Sequence, residues 1–385
     1  MTTFQILGAN PSMRRAWLER NTGHTLEATA DAAFAPEDVR TNIENLVGAV
    51  HVPLGVAGPI RVNGEHAQGS YYVPFATTEG TLVSTYQAGM RAITEAGGAN
   101  AYVLGDSLDI TPCFILTSAR DAISFSQWLN DHLPELKDVA AETTAHGRLV
   151  ELHTHLFGRR VFARFVFTTG DAMGMNMVNL AVDQVCRHVM GLGLCERYYL
   201  RCNYSSDKKP AAINLFRSYG KEVAIDFTLP ASVVERYLGV STRDLLEFVA
   251  AGRLGAMQAG ALGMNAHFAN GLAAIFIACG QDVAQVVNAS IGFTDTELSG
   301  EGDLYVSARL PNLVIGTVGG GTNLPTQSEC LALLDCRGEG TAPKFAEIVA
   351  ATAVGGELAI AAALANGRFI EAHRQNRERS QHSTA

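Results

Sequence analysis

The spacing of hydrophobic and polar positions predicts short strands first and a helix soon after. Residues 46–80 form short β-type runs broken by proline and glycine, and the segment RVNGEH carries the Asn-Gly pair typical of a hairpin turn. A helix is predicted to begin near Thr78 and to end at the paired glycines of ITEAGG, where a left-handed cap fits. Residues 1–45 show weak periodicity and are expected to form a polar N-terminal helical segment.

The pattern changes in the second quarter of the chain. The strand-like PCFILTS precedes the helical DAISFSQWLNDHLPEL, the strand-like RRVFARFVFTT and a helix from about Met173. This order is typical of a small α+β unit, so residues 112–199 are a candidate inserted domain. Residues 46–111 and 200–385 then form a larger domain, with a strand at EVAIDFTLP, a long helix from about Thr242, further strands, a glycine loop and a C-terminal helix.

Two apolar stretches approach the length of a membrane span. Residues 254–280 contain a glutamine, two asparagines, a histidine and four interior glycines, and residues 347–367 have Glu357 in their middle. Polar and charged side chains are costly in a bilayer. Each stretch is therefore predicted to be a buried helix of a protein that makes no membrane contact.

Composition and charge narrow the class of protein. The chain has 29 Lys and Arg residues against 38 Asp and Glu, and its net charge of −9 argues against binding to nucleic acid. Seven cysteines without a C-x-x-C spacing fit reduced cytoplasmic thiols better than disulfides or a zinc site, and no metal is expected. The first residues lack the basic and apolar blocks of a secretory signal, so a cytoplasmic protein is expected.

Glu79, in the segment FATTEGTL, is a first candidate for proton transfer. It is expected just inside a helix start, where the helix dipole favours a carboxylate and Thr77 and Thr78 can act as caps. This structural role alone is common. The apolar neighbours of Glu79 favour a second interpretation, a desolvated carboxyl group suited to act as a general acid.

The segment NYSSDKKPAAIN places two lysines directly after an aspartate. Adjacent lysines most often form a solvated surface, and that remains the alternative for Lys209. Asp207 beside Lys208, before a run of small apolar residues, predicts instead an ion pair at the edge of a core. An ammonium group fixed in this way can stabilise an oxyanion.

Asp282, in the segment CGQD, closes the first apolar stretch. A carboxylate that emerges from a buried segment must be paired or protonated, and Lys208 and Glu79 are the expected partners. An exposed aspartate at a helix end is the alternative. His267, earlier in the same stretch, fits a hydrogen-bonded core histidine better than a ligand or catalyst.

Two glycine-bearing segments allow a close backbone approach to a bound group. They are GDAMGMNM, residues 170–177, and GTVGGGTNL, residues 316–324. Phosphate or nicotinamide binding is the usual use of such segments, and a turn or close helix packing is the alternative. Neither segment fits G-x-G-x-x-G, so a standard Rossmann domain is disfavoured.

These segments together resemble the 3-hydroxy-3-methylglutaryl-coenzyme A reductase family, in the form found in eukaryotes and many archaea. The resemblance covers about residues 40–375 in order, and a membrane anchor like that of eukaryotic relatives is not expected. It rests on ENLVGAVHVPLGVAGP, ATTEG, GDAMGMNM, DKKPAAIN, NAHFAN, IACGQDVAQ, GTVGGGTNL and ELAIAAALANG. It implies an α+β fold with a large domain around a long central helix, an inserted ferredoxin-like cofactor-binding domain, and active sites shared across a homodimer or higher homo-oligomer.

The resemblance also implies a role for each motif residue. Glu79 would be the acid, Lys208 would hold the oxyanion, Asp282 would link them, and His373 would protonate the departing thiolate. NADPH, or alternatively NADH, would be bound by Asp171, Met173, Gly174, Met175, Asn176, Thr144, His146, Thr317, Val318 and Gly319. The substrate would contact Lys209, Asp207, Arg201, Ile110, His267 and Asn270.

Several recognition positions depart from the family pattern. The arginine expected to bind the substrate's free carboxylate falls on Ile110, and a serine that shares this role falls on Arg201, whose guanidinium can restore the charge from the opposite side. Positions expected to be basic for the coenzyme A phosphates are Ala88 and Ala250. The nucleotide-holding triplet corresponds to residues 144–146, so the choice between NADPH and NADH stays open.

Three functions remain. The first is the reduction of 3-hydroxy-3-methylglutaryl-coenzyme A to mevalonate, with two nicotinamides consumed per product. The second keeps the thioester chemistry but acts on a different acyl-coenzyme A or on a carrier-protein thioester. The third, a catalytically silent binding protein, is disfavoured because all four implied catalytic residues are present.

Overall fold

The computed structural model describes residues 10–144, 146–300 and 302–367. Its helices, in chain order, are α1 (Pro11–Thr22), α2 (Glu27–Ala30), α3 (Leu82–Glu95), α4 (Ala119–Asp131), α5 (Leu133–Ala141), α6 (Met175–Gly191), α7 (Ala231–Val233), α8 (Thr242–Ala259), α9 (Phe268–Ala278), α10 (Val286–Ala289), α11 (Pro325–Leu333) and α12 (Ala342–Ala365). Its strands are β1 (Leu54–Gly64), β2 (Gln68–Ala76), β3 (Ala99–Ile110), β4 (Cys113–Ile115), β5 (Arg148–Phe157), β6 (Arg160–Thr168), β7 (Arg197–Tyr199), β8 (Gly220–Leu229), β9 (Phe293–Ser299) and β10 (Asp303–Leu313).

One mixed sheet of ten strands connects most of the described chain, in the order β7–β4–β6–β3–β8–β10–β9. β1 pairs with β2 and, in parallel, with β3, and β5 pairs with β6. Residues 100–107 of β3 pair with β8, whereas residues 108–110 pair with β6. β3 therefore belongs both to a large part of the molecule and to a small one.

The small part has the element order β4, α4 and α5, β5, β6, α6, β7, and its strands lie in the order β7–β4–β6–β5. This is the ferredoxin-like arrangement, with the helices packed on one face over a separate buried cluster. The predicted α+β fold with a ferredoxin-like unit is confirmed. Its boundaries at 112 and 199 stay a prediction, since Leu108 and Ile110 already belong to the core of the small part.

α12 runs through the core of the large part, and every residue from Phe345 to Ala362 is buried. Its small residues allow neighbouring backbones to approach, because a Cβ added to Gly89 of α3 would lie 1.8 Å from the carbonyl oxygen of Gly355. In the described ranges, α12 is the one helix long and apolar enough to cross a membrane, and 78% of its most apolar window is buried. The prediction of a buried helix at 347–367 is therefore confirmed.

The other apolar stretch, residues 254–280, is not the single buried helix that was predicted. α8 and α9 are separated by a loop in which Gly260 (φ 69°) and Gly263 (φ 129°) adopt conformations that favour glycine. The second half of α8 is open to solvent, and Leu254 and Met257 are 63% and 66% exposed. The prediction was wrong because Gly260 and Gly263 interrupt the helix, whereas Gly255 and Gly271 lie within α8 and α9.

The first strands agree more closely with the sequence. β1 and β2 form an antiparallel hairpin, and the N–H of Gly64 donates to the carbonyl oxygen of Ala67 across its turn (2.8 Å). α3 begins four residues later than predicted, because Thr81 at φ 71° separates the extended segment from the helix. The helix ends two residues before Gly97, whose positive φ of 103° agrees with the predicted stop at the paired glycines.

The close packing of α3 on α12 gives a test of stability. Gly89→Ala should destabilise the protein by about 1–3 kcal/mol, since the added methyl group meets backbone that cannot move aside. Gly255→Ala in α8 is the matched control, because a Cβ there meets nothing within 4 Å and should stabilise the helix by about 0.5–1 kcal/mol. Urea unfolding of both variants measures the difference, and equal effects would contradict the packing described.

Candidate active site

Lys208 and Asp282 form a close ion pair in the large part of the molecule. The Lys208 Nζ lies 2.6 Å from Asp282 Oδ2, and the two side chains are 41% and 30% exposed. The other oxygen, Oδ1, accepts the N–H of Ala284 (3.1 Å) and caps the 3₁₀ turn Val283–Gln285. The expected partnership of Lys208 and Asp282 is therefore present, with the ammonium group still open to a ligand.

Asp207 does not pair with Lys208, so that part of the sequence prediction is wrong. Its buried carboxylate contacts Arg201 Nη2 (2.5 Å) and accepts a hydrogen bond from Gln285 Nε2 (2.7 Å). The physical reason is the backbone of Lys208, whose φ of 55° lies in the left-handed region and turns its side chain away from that of Asp207. Lys209 is not a solvated surface residue either, because its Nζ donates to the carbonyl oxygens of Ser205 (3.3 Å) and Asp207 (3.0 Å).

Two amide side chains near Asp282 hold the loop that carries Lys208. Gln285 binds Asp207, and Asn288 Nδ2 donates to the carbonyl oxygen of Ser206 (2.9 Å). Both amides have no exposed surface. Neither residue was predicted from the sequence, although two amides inside the apolar run VAQVVN indicate buried hydrogen bonding.

Glu79 lies near the start of helix α9, at the opposite end from this ion pair. Both of its carboxylate oxygens accept hydrogen bonds from Asn270 Nδ2, at 3.1 and 2.9 Å. Glu79 precedes the first turn of α3, so its predicted place inside a helix start is wrong. Its side chain is exposed in this chain, so the expected desolvation is also absent here.

His267 is the N-cap residue of α9 and lies beside the hydrogen-bonded pair of Glu79 and Asn270. It is 8% exposed, its ring lies 5.2 Å from the ring of Tyr86, and its N–H donates to Glu357 Oε2 (2.9 Å). Burial lowers the pKa of His267, and the nearby charge of Glu79 opposes that effect. The histidine is buried as expected, but its Nδ1 has no partner among the described residues.

Glu79 and Asp282 are separated by most of the length of α9. Asn270, the partner of Glu79, is the third residue of this helix, and Asp282 follows its last residue by four. The helix rises about 12 Å from Asn270 to its last residue. Within the described ranges, Glu79 has no ion pair, while Asp282 contacts Lys208.

The two glycine segments lie side by side. Ala172 and Val318 form a parallel bridge, and the N–H of Thr317 donates to the carbonyl oxygen of Asp171 (2.8 Å). Gly316 is required at this contact, since a Cβ there would lie 2.5 Å from the backbone nitrogen of Met173. The segments line a cavity of about 500 Å³, and Asp282 forms part of the same wall.

The predicted cofactor residues divide into two groups around this cavity. Those that line it are Met173, Gly174, Met175, Asn176, Val318 and Gly319. Asp171 does not line it, because its carboxylate accepts the N–H groups of Gly340 (2.7 Å) and Ala342 (3.0 Å) at the start of α12. Thr317 is likewise turned away, with Oγ1 donating to the carbonyl oxygen of Gly338 (2.8 Å).

Thr144 and His146 flank the cavity instead of lining it. Thr144 Oγ1 accepts the N–H groups of His146 (3.2 Å) and Gly147 (3.0 Å) in the turn before β5. Gly147 packs against Met177, which lines the cavity. The turn therefore lies next to Met177 in the cavity wall, and a role of Thr144 and His146 in cofactor binding stays a prediction.

The predicted substrate residues have mixed positions. Ile110 is wholly buried in the core of the small part, so it cannot contact a substrate, and that prediction is wrong. Arg201 lies beside the cavity, with Nη1 3.3 Å from the sulfur of Met175, but its charge is matched by Asp207. His373 lies outside the described residues.

Comparison with known proteins identifies the family. The sequence profile described as hydroxymethylglutaryl-coenzyme A reductase matches residues 10–378. Proteins named 3-hydroxy-3-methylglutaryl-coenzyme A reductase are similar to this chain: that of Aeropyrum pernix is 45% identical over 94% of this chain and 88% of its own. Those of Methanothermobacter thermautotrophicus and Methanocaldococcus jannaschii are 43% and 40% identical, over 94% of this chain and 91% of theirs.

Solved structures share the fold. The 3-hydroxy-3-methylglutaryl-coenzyme A reductase of Streptococcus pneumoniae superposes with a TM-score of 0.71 at 18% identity, over 94% of this chain and 99% of that chain. A structure of the class II enzyme from the same organism, bound to NADPH in open conformations, gives a TM-score of 0.70 at 18% identity, over 94% of this chain and 100% of that chain. At this identity the likeness establishes the architecture alone.

The contact of Glu357 with the loop before α9 gives a prediction about pH. Burial raises the pKa of Glu357, so the folded state binds its proton more tightly than the unfolded state does. That contribution to stability is full below the pKa of an unfolded glutamate and is lost as pH rises through the raised value. The unfolding free energy of wild type relative to Glu357→Gln should therefore fall as pH rises across this window. Urea unfolding at a series of pH values measures it.

The exposed Glu297 provides the control for this experiment. Glu297→Gln, measured over the same pH series, gives the effect of a surface Glu→Gln substitution on the unfolding free energy. If the Glu357→Gln difference did not fall with pH relative to this reference, the buried carboxyl would not titrate as described.

Proposed function

The chain belongs to the hydroxymethylglutaryl-coenzyme A reductase family, and we propose that it reduces 3-hydroxy-3-methylglutaryl-coenzyme A to mevalonate with NADPH. Its relatives are named for this oxidoreductase, and the resemblance seen in the motifs is confirmed. The substrate class is a coenzyme A thioester. The observation that carries the proposal is the Lys208–Asp282 ion pair at the cavity between the glycine segments.

The cavity fits a nicotinamide cofactor. Its volume of about 500 Å³ lies within the usual range of ligand sites. Two segments of its wall pack backbone against backbone, since a Cβ on Gly280 would lie 2.3 Å from the carbonyl oxygen of Gly321. We infer that the lining residues Met173, Gly174, Asn176 and Val318 hold the cofactor, which supplies the hydride equivalents of both reductions when bound.

The residues of the chain handle charge and protons. Asp282 fixes the ammonium group of Lys208 before the substrate arrives, so its N–H groups can stabilise negative charge on the thioester oxygen without reorganisation. Glu79 donates the proton that converts the final oxyanion into an alcohol. His373 protonates the thiolate that leaves when the carbon–sulfur bond of the thioester breaks after the first reduction.

A second copy of the chain would complete the site. Glu79 with Asn270 and Lys208 with Asp282 are both exposed, yet they lie at opposite ends of α9 in one chain. The exposed apolar side chains of Leu254 and Met257 on α8 provide surface that a partner would cover. We therefore propose a homodimer in which each site combines Glu79 of one chain with the Lys208–Asp282 pair of the other.

A cytoplasmic location is part of the same proposal. Each of the seven cysteines is an unpaired thiol. Unpaired thiols are typical of a reducing compartment.

A different acyl group remains the second candidate. Its support is the presence of Ile110 at the position where the family pattern has an arginine for the free carboxylate of the usual substrate. Arg201 can take that role only in competition with Asp207. A carrier-protein thioester belongs to the same alternative, since it changes recognition and not chemistry.

The proposed activity is tested by stoichiometry and by one substitution. Purified protein should consume two NADPH per mevalonate formed, and Lys208→Met should lower kcat by about 10²–10³ through loss of oxyanion stabilisation. Lys137→Met on α5 is the control and should retain full activity. Turnover with another acyl thioester alone would favour the second candidate. Full activity of Lys208→Met would refute the role of the ion pair.

Subunit complementation tests the shared site. Glu79→Ala and Lys208→Ala should each be inactive, because each removes one half of every site. When the two inactive variants are unfolded and refolded together in equal amounts, half of the dimers are mixed, and each mixed dimer has one intact site. Activity should then return to about a quarter of the wild-type value. No recovery, with mixed dimers demonstrated by mass spectrometry, would place both groups of one site in the same chain.

A further inference from the structure

A second cavity, of about 120 Å³, lies between helices α8 and α12 and strand β9, which ends the sheet. It shares no lining residue with the cavity of the glycine segments, and Glu79, Lys208 and Asp282 do not line it. Its wall includes Gly252 and Arg253 of α8, and both residues reach the surface. The cavity is therefore separate from the proposed active site and adjoins solvent at α8.

Most of this wall is apolar. It is formed by side chains from α8, β10 and α12, namely Phe248, Val249, Val306, Val354 and Leu358. An apolar cavity of roughly 150 Å³ in another protein stays dry and binds benzene, a molecule of six non-hydrogen atoms. The size and lining of the present cavity therefore favour a ligand with an apolar body of about five or six non-hydrogen atoms.

Two buried hydrogen-bonding groups in the wall have no partner among the described residues. The first is Oγ1 of Thr296, a residue that is 8% exposed. Thr294 and Thr296 both line the cavity, and alternate residues of a strand share one face, so the Thr296 side chain points into the cavity. The second is Arg253 Nε, although Nη2 of the same side chain contacts Asp295, the neighbour of Thr296. One part of the cavity therefore presents a hydroxyl and an N–H group to an oxygen atom of a ligand.

Water does not account for this cavity. A buried water needs two to four polar partners and takes about 10–15 Å³ of such a volume. The cavity therefore has room for roughly ten waters, whereas Thr296 Oγ1 and Arg253 Nε suffice for about one. The oxygens of Glu357, which also lines the cavity, already accept the N–H groups of Ala266 (2.7 Å) and His267 (2.9 Å). A ligand with an apolar body and one oxygen atom matches the wall better than water does.

The charges of the wall favour a neutral ligand. The guanidinium group of Arg253 is already matched by Asp295, and the carboxyl group of Glu357 would repel an anion. We propose that this cavity is a binding site for a small neutral alcohol or ketone, whose oxygen accepts hydrogen bonds from Thr296 Oγ1 and Arg253 Nε. The bound molecule lies against Ala266, two residues before α9 begins. The site does not depend on the proposed thioester reduction.

Cyclopentanone, which has six non-hydrogen atoms and one carbonyl oxygen, is the probe. Titration of the purified protein, followed by saturation-transfer NMR of the probe, should give saturable binding with a dissociation constant of roughly 1 mM or tighter. Thr296→Val keeps the shape of the side chain and removes the hydroxyl group, so it should weaken binding about threefold to tenfold. Cyclopentane lacks the oxygen and should bind both proteins equally, which separates a lost hydrogen bond from a distorted cavity. Unchanged affinity of Thr296→Val for cyclopentanone would refute the polar contact and the proposed class of ligand.

A filled cavity provides the second test. Ala256→Leu places a larger apolar side chain in the wall and should abolish saturable binding of cyclopentanone. Ala251→Leu, at an exposed position of α8 outside the wall, should bind the probe as wild type does.

Two results overturn the inference. No saturable binding to wild-type protein would show that water alone occupies the cavity, and unchanged affinity of Ala256→Leu would place the probe elsewhere. The Thr296→Val comparison decides the inference if Ala256→Leu fails to fold. These measurements require neither thioester nor NADPH, so failure of the proposed reaction leaves their outcome unaffected.

Discussion

The ion pair between Lys208 and Asp282 is the constraint on which the rest of the site depends. A partly exposed ion pair contributes little stability, so its geometry has to be imposed by its surroundings. The buried amides of Gln285 and Asn288 impose it, because they join the segment after Asp282 to the loop that carries Lys208. The left-handed backbone of Lys208 is held in place by the same contacts, which offset a conformational cost of about 1–2 kcal/mol.

Helix α12 is the element to which several loops of the site are hydrogen-bonded. Asp171 binds the N–H groups at its start and so places the first glycine segment. Glu347 accepts the N–H groups of Glu65, His66 and Ala67 in the β1–β2 turn, and Glu357 holds the backbone at His267. Buried carboxylates are tolerated here because backbone N–H groups satisfy them. Helix α12 therefore positions both the cavity and the hydrogen-bonded pair of Glu79 and Asn270.

Local patterns predicted much of this architecture, and contacts between distant segments account for what they missed. The hairpin at RVNGEH, the buried helix at 347–367 and the glycine segments follow from chemistry within a few residues, although the turn is formed by Glu65 and His66 and the Asn-Gly pair ends β1. Whether Asp207 pairs with Lys208 or with Arg201 depends on one backbone angle that no local pattern specifies. The ion pairs of Asp109 with Arg164 and Arg217 could not be predicted from the sequence, because the three residues come from β3, β6 and the segment before β8.

The segment from Tyr204 to Lys208 couples the two parts of the molecule mechanically. Ser205, Ser206 and Asp207 are all at most 5% exposed, and each is hydrogen-bonded to a different element. A stretch so fully buried and hydrogen-bonded has a fixed conformation. It joins Tyr204, whose ring stacks on Phe162 and His155 of the small sheet, to Lys208 at the cavity. The ferredoxin-like unit thus positions the reacting lysine as well as one side of the cavity.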